Sequence, residues 1–146
     1  MNDLDTLRGH FTNSLALSPD AVEWLLSLYQ VIQFFDDVAD GDKVERNELN
    51  QALWNSLVAF PQNAFYFKHM YLLLPVVANA ILKWQASDNA ERAGAANEKS
   101  FVWRASYYDV VLTVVQICHG HEVAAKVADK VLGMYGENYQ DYLKEF

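Results

Sequence analysis

Ser18-Pro19-Asp20-Ala-Val-Glu-Trp-Leu-Leu-Ser-Leu-Tyr-Gln-Val-Ile-Gln-Phe-Phe-Asp-Asp-Val-Ala-Asp40 decides the fold class. Ser18 is an N-cap residue, Pro19 takes the first helical position, where no N–H is needed, and Asp20 suits the positive end of the helix dipole. Val22, Leu25, Tyr29, Ile32 and Phe35 follow at helical spacing, and Trp24, Leu28 and Val31 widen the stripe nearly round the cylinder. A helix apolar on most sides is packed by neighbours on several faces. The pattern predicts a central helix running to Ala39 or Asp40, with Gly41 in the left-handed position that ends it.

Helical punctuation continues outward from there. Asp42 and Glu45 are spaced as a capping box for a second helix carrying Val44, Leu49, Ala52, Leu53, Leu57 and Phe60, which Pro61 stops. Asn63 caps a long third helix whose apolar positions include Phe65, Phe67, Tyr71, Leu74, Val77, Ile81 and Trp84. Pro75 inside it predicts a kink, since its ring removes a donor and crowds the preceding turn. Residues 86–97 are polar and small and read as a loop. Asn97 caps a fourth helix that turns Phe101, Tyr108, Val111, Leu112, Val115 and Ile117 inward and stops at Gly120. Val123, Val127, Val131 and Leu132 mark a fifth, and Asn138 starts a short sixth. No strand-like alternation and no internal repeat is present. The expectation is an all-α, single-domain bundle over residues 1–146: five to six mostly antiparallel helices, one of them kinked around Pro75.

Composition narrows the function classes. The chain has 146 residues, 52% of them apolar and 21% charged, a globular composition. One cysteine, Cys118, excludes a disulfide framework. Eleven basic residues against 19 acidic ones give a net charge of −8, which argues against binding a nucleic-acid backbone. Residues 1–73 hold 4 bases and 10 acids, so the acidity is concentrated in the first half. The acidic start predicts no signal peptide. The longest apolar run, residues 70–82, is short of a membrane span, and the expected setting is cytoplasmic with no membrane partner.

Chemistry is concentrated in one segment. Asp36, Asp37, Asp40 and Asp42 fall within seven residues at the negative end of a helix, where carboxylates are disfavoured by about 0.3–1 kcal/mol each. Ion pairs, solvation or a divalent cation with oxygen ligands would offset that cost. Asp36, Asp37 and Asp40 are therefore the candidate metal ligands, with Mg²⁺ the one cofactor they suggest. Asp36-Asp37-Val-Ala-Asp40 resembles the aspartate-rich motif of class I prenyl synthases. Those are all-α enzymes, and the resemblance implies Mg²⁺ holding a diphosphate. It covers five residues. The stretch from Tyr108-Asp109 to Gln116 is out of register for that family's second motif, and the chain is about half the expected length. Asp37-x-x-Asp40 is also similar to one half of the paired acid motifs of small all-α nucleotide pyrophosphatases, although Glu45-x-x-Glu48 follows too closely for the other half. Neither family is assigned.

Arg104 and Lys68 are the candidate ligand-binding residues. Arg104 sits among aromatics and needs a carboxylate or a phosphate; the aspartates at 36–40 would serve if their helices pack together. Cys118-His119-Gly120-His121-Glu122 straddles a helix end and reads as capping more readily than as a metal site. Tyr139, Tyr142 and Phe146 share a helical stripe and are the candidate interface, the alternative being a helix that closes over the core. No catalytic nucleophile is apparent. Three functions follow. The first is an interaction or structural protein that self-associates or binds a protein partner. The second is a Mg²⁺-dependent hydrolase or binder of a phosphorylated small molecule. The third is an acidic mimic of nucleic acid.

Overall fold

A computed structural model describes residues 3–146. The protein is all-helical: 80% is helix and no strand occurs among the described residues. Its contacts group into two compact units, Met1–Met70 and Tyr71–Phe146.

The first unit is organised on one helix. Helix α1 (Asp3–Gly9) runs into a wide π turn (His10–Ser14) and then to α2 (Pro19–Ala39). Helix α3 (Arg46–Trp54) runs through a second π turn (Asn55–Ala59) into the short α4 (Phe60–Gln62). α1, α3 and both π turns pack on α2. The Ser18 hydroxyl accepts from the Ala21 N–H, and Gly41 is left-handed at φ 75°, both as the sequence requires. Ala21, Val22, Trp24, Leu25, Leu26, Leu28, Val31 and Phe34 are buried. Phe35 is exposed, so the stripe leaves the core one residue earlier than expected. Trp24 stacks on Tyr66 at 5.3 Å and meets the Phe60 edge at 6.3 Å. A helix before residue 18 is not among those expected, although Leu4, Leu7, Phe11 and Leu15 step by 3, 4 and 4 and the last three are buried.

Two stop signals act differently from their expectation. Glu45, not Asp42, is the residue before α3, and it makes no side-chain cap. The Asp42 N–H instead donates to the Asp37 carbonyl at 2.9 Å, closing the end of α2. Pro61 lies in the first turn of α4, where a missing N–H costs nothing, and the break falls at Asn63. Asn63 then does two jobs. Its Oδ1 accepts from the Tyr66 N–H at 2.9 Å, and its Nδ2 donates to the Asp20 carbonyl at 2.9 Å.

Helix α5 (Ala64–Arg92) continues through Pro75 and absorbs most of the expected loop, leaving residues 93–97 as the connection. Within the second unit it is pinned by polar contacts. The Ser106 Oγ donates to the Ala80 carbonyl, the Ser87 Oγ donates to the Ser100 carbonyl, and Lys83 Nζ pairs with Asp109, each at 2.7 Å. The fourth expected helix is two: α6 (Glu98–Trp103) and α7 (Tyr107–His119). Asn97 and Ser100 cap α6 reciprocally. α7 buries Tyr107, Tyr108, Val110, Val111, Val114 and Val115, and α8 (His121–Leu132) packs along it after the single connecting residue Gly120. Asn138 caps α9 (Tyr139–Leu143), which meets α6.

The C-terminal aromatics close this unit. Phe101 meets Tyr135, Tyr139 and Tyr142 at 5.3–5.4 Å. The buried Tyr142 hydroxyl lies 2.7 Å from Ser100 Oγ and donates to Glu91 at 2.8 Å. Tyr142→Phe keeps the ring and removes this junction between α9, α6 and α5. It should lower unfolding free energy by roughly 1–3 kcal/mol in urea titration, the range for losing a buried bond to a charged acceptor.

Candidate functional site

A cleft of about 360 Å³ opens between α1, α2 and α3 within the first unit. Leu4, Phe34 and Ala52 give it apolar walls. Gln30, Gln33 and Asp37 reach it from α2, at i, i+3 and i+7 on one helical face. Asn47, Glu48 and Gln51 reach it from α3. Behind them, Gln51 donates to the buried Asn55 at 3.0 Å and Asn55 donates to Gln30 at 3.3 Å, a chain of amides joining the two helices. A buried amide needs such partners, and here they fix the side of α3 that faces α2.

The cleft is electronegative. Burial pushes the Asp37 carboxyl up, and the nearby charges of Asp36, Asp42 and Glu48 push it further. Tyr29, also in the lining, is pushed up to about 12 by burial and by Asp3, whose carboxylate accepts from its hydroxyl at 3.4 Å. Among the described residues, no Lys, Arg or His lines the cleft.

The expected metal ligands are thus divided. Asp37 lies in the cleft with Asp36 close by, while Asp40 is exposed at the end of α2. Among the described residues, no group of three or more His, Cys, Asp or Glu is arranged to hold a metal ion. The cleft's amides were not singled out in the sequence. Their signal was the polar i, i+3, i+7 spacing of Gln30, Gln33 and Asp37 inside an otherwise apolar helix.

Arg104 and Lys68 have different settings. Arg104 belongs to the second unit, 14% exposed, at 3.3 Å from Glu91 and 3.8 Å from both Glu137 and Glu145. Its guanidinium also lies 5.1 Å from the centre of the Tyr142 ring. A buried cation among carboxylates and an aromatic face explains why Arg stands here. Lys68 is exposed on α5. Of the expected interface residues, Tyr142 is buried, Tyr139 is half-buried and Phe146 is exposed.

Large apolar side chains are exposed in both units. In the second unit, α5 exposes Tyr71, Leu72, Leu74, Ile81 and Leu82 while Leu73 and Ala80 are buried. By length and composition α5 could cross a membrane, and 17% of its most apolar 18-residue window is buried. In the first unit Leu53, Trp54 and Leu57 are exposed on α3 and the turn after it.

Asp37→Asn tests the electrostatics of the cleft. A carboxyl raised in the folded state favours folding below its ordinary pKa, and that contribution is lost as pH rises through the folded value. The variant should therefore be more stable than the parent at pH 7, with the gain fading on acidification towards the ordinary carboxylate range. Urea unfolding at both pH values reads this. The chain matches no protein family, no curated protein and no solved structure.

Proposed function

We propose that this chain works by association: it is an interaction protein that buries the outward side of α5 against another molecule. The supporting observation is the exposure of Tyr71 at 74%, Leu74 at 46%, Ile81 at 51% and Leu82 at 60% along one helix. Scattered exposed apolar residues are ordinary, but a contiguous run of large ones on one face marks a contact surface. The expected contact at Tyr139, Tyr142 and Phe146 gains less support, because Tyr142 already serves the chain's own core. A cytoplasmic setting and a protein partner belong to the same reading.

Leu74→Cys in a Cys118→Ser background tests it. In native extract of the cell that makes the protein, position 74 should resist alkylation by a maleimide and should react after denaturation. Full reaction in the native extract would overturn the reading.

A second reading has its own support in the charge on Asp37. A field that raises a carboxyl would be relieved by a cation, so Mg²⁺ held near Asp36, Asp37 and Asp40 could serve a phosphorylated small molecule. Titrating chelator-treated protein with Mg²⁺ by calorimetry should then give heat that vanishes in Asp36→Asn/Asp40→Asn. No heat from the parent protein would end this reading.

A further inference from the structure

We infer that the molecule covering α5 is a second copy of this chain, seated on the stripe Tyr71, Leu74, Ala78 and Ile81. The inference rests on the interaction reading and names its partner.

Spacing is the first argument. The four residues step by 3, 4 and 3, and all four are exposed. That is the 3.5-residue repeat with which one helix packs knobs into the holes of another. The opposite side of the same helix is already committed to the chain's own core through Leu73, Ala80 and Ser87. α5 in this unit therefore has two packing faces, one filled from within.

Charge is the second argument. The chain carries a net charge of −8, so two copies repel over most of their surfaces. Between Lys68 and Lys83 the sequence has no Asp, Glu, Lys or Arg. This stripe is a place where two copies meet without like charges opposed. An uncharged face also offers no attraction that would select a basic partner in preference.

Area is the third argument. At the exposures of Tyr71, Leu74, Ile81 and Leu82, with Pro75 and Ala78 beside them, the stripe presents roughly 500 Å² per copy, taking ~200 Å² for a large side chain. Complete burial of this face on both copies would remove roughly 1,000 Å² from water, the threshold for a specific interface and the size of a weak dimer. A lipid surface is the competing occupant, since α5 is long and apolar enough to cross a membrane, and the vesicle arm of the sedimentation test decides between the two.

Sedimentation equilibrium on the purified full chain, alone and with neutral phosphatidylcholine vesicles, tests the assignment. The parent should show twice the mass of one 16.7 kDa chain. Tyr71→Lys/Ile81→Lys should show one chain's mass with unchanged helical circular dichroism. A parent that stays at one chain's mass while position 74 resists alkylation in native extract would overturn the second copy and leave the interaction reading standing. One chain's mass with position 74 reactive would remove both. A dimer that survives the double lysine variant would place the contact elsewhere and overturn this assignment. Sedimentation with the vesicles, abolished by the lysines, would make lipid the occupant and overturn it as well.

Discussion

From Tyr71 to Leu82 helix α5 is apolar on nearly every side, and a helix of that kind must choose which side to bury. The choice is made by polar groups, not by greasy ones. Ala80 lends its carbonyl to Ser106, Lys83 meets Asp109, and Ser87 meets the Ser100 carbonyl. The two serine bonds are buried, short and directional, and they oppose rotation of the helix about its axis. Tyr142 and Glu91 add another near its end. With these bonds made, Leu73 and Ala80 face the core, while Tyr71, Leu74 and Ile81 face away from it. Apolar burial supplies much of the stabilisation in such a unit, but the hydrogen bonds decide which apolar residues receive it.

The first unit settles its polar groups differently. Along α2, Gln30, Gln33 and Asp37 face the cleft towards α3, while Glu23 pairs with Arg8 of α1. There Gln30 joins the amide chain through Asn55, and Asp37 is held near other acids. The π turn at Asn55–Ala59 matters to this arrangement, because Asn55 at its start is the buried link between Gln51 and Gln30. Negative charge at the C-terminal end of α2 adds to the unfavourable end of its dipole. The outcome is a cleft with amide hydrogen bonds inside and excess acid at its rim.

How much of this could be read from the sequence depends on the range of the interaction. Caps are local, and Ser18, Asn63, Asn97 and Asn138 all sit where the residue types place them. Gly41 and Gly120 take positive φ at helix ends for the same reason. The division of α6 from α7 has no Gly or Pro to announce it, and it depends on Ser106 reaching the Ala80 carbonyl 26 residues away. The loop expected from residue 86 fails likewise. Ser87 and Glu91 look like loop polarity in sequence, yet they are helical residues held by distant partners. The acidic cluster was visible as a cluster, but which carboxylate enters the cleft was not. Arg104 illustrates the same limit: its need for carboxylates could be read, while Glu91, Glu137 and Glu145 as suppliers follow from tertiary packing. The apolar run of α5 was visible, but which of its sides stays outward was not, because an apolar residue looks the same whether or not its own chain covers it.

The tryptophans carry a spectroscopic consequence. Trp24 and Trp54 belong to the first unit, Trp84 and Trp103 to the second. Trp24 is sealed against Tyr66 and Phe60, whereas Trp54 is 59% exposed. An indole in an apolar, rigid setting emits to the blue of one in water, so the first unit contains both a buried and a solvated emitter. A soluble quencher dims Trp54 first and leaves Trp24 until that unit opens. The chain thus carries an intrinsic optical label on each side of this boundary between core and solvent, and the colour of its emission distinguishes a loosened surface from a lost core.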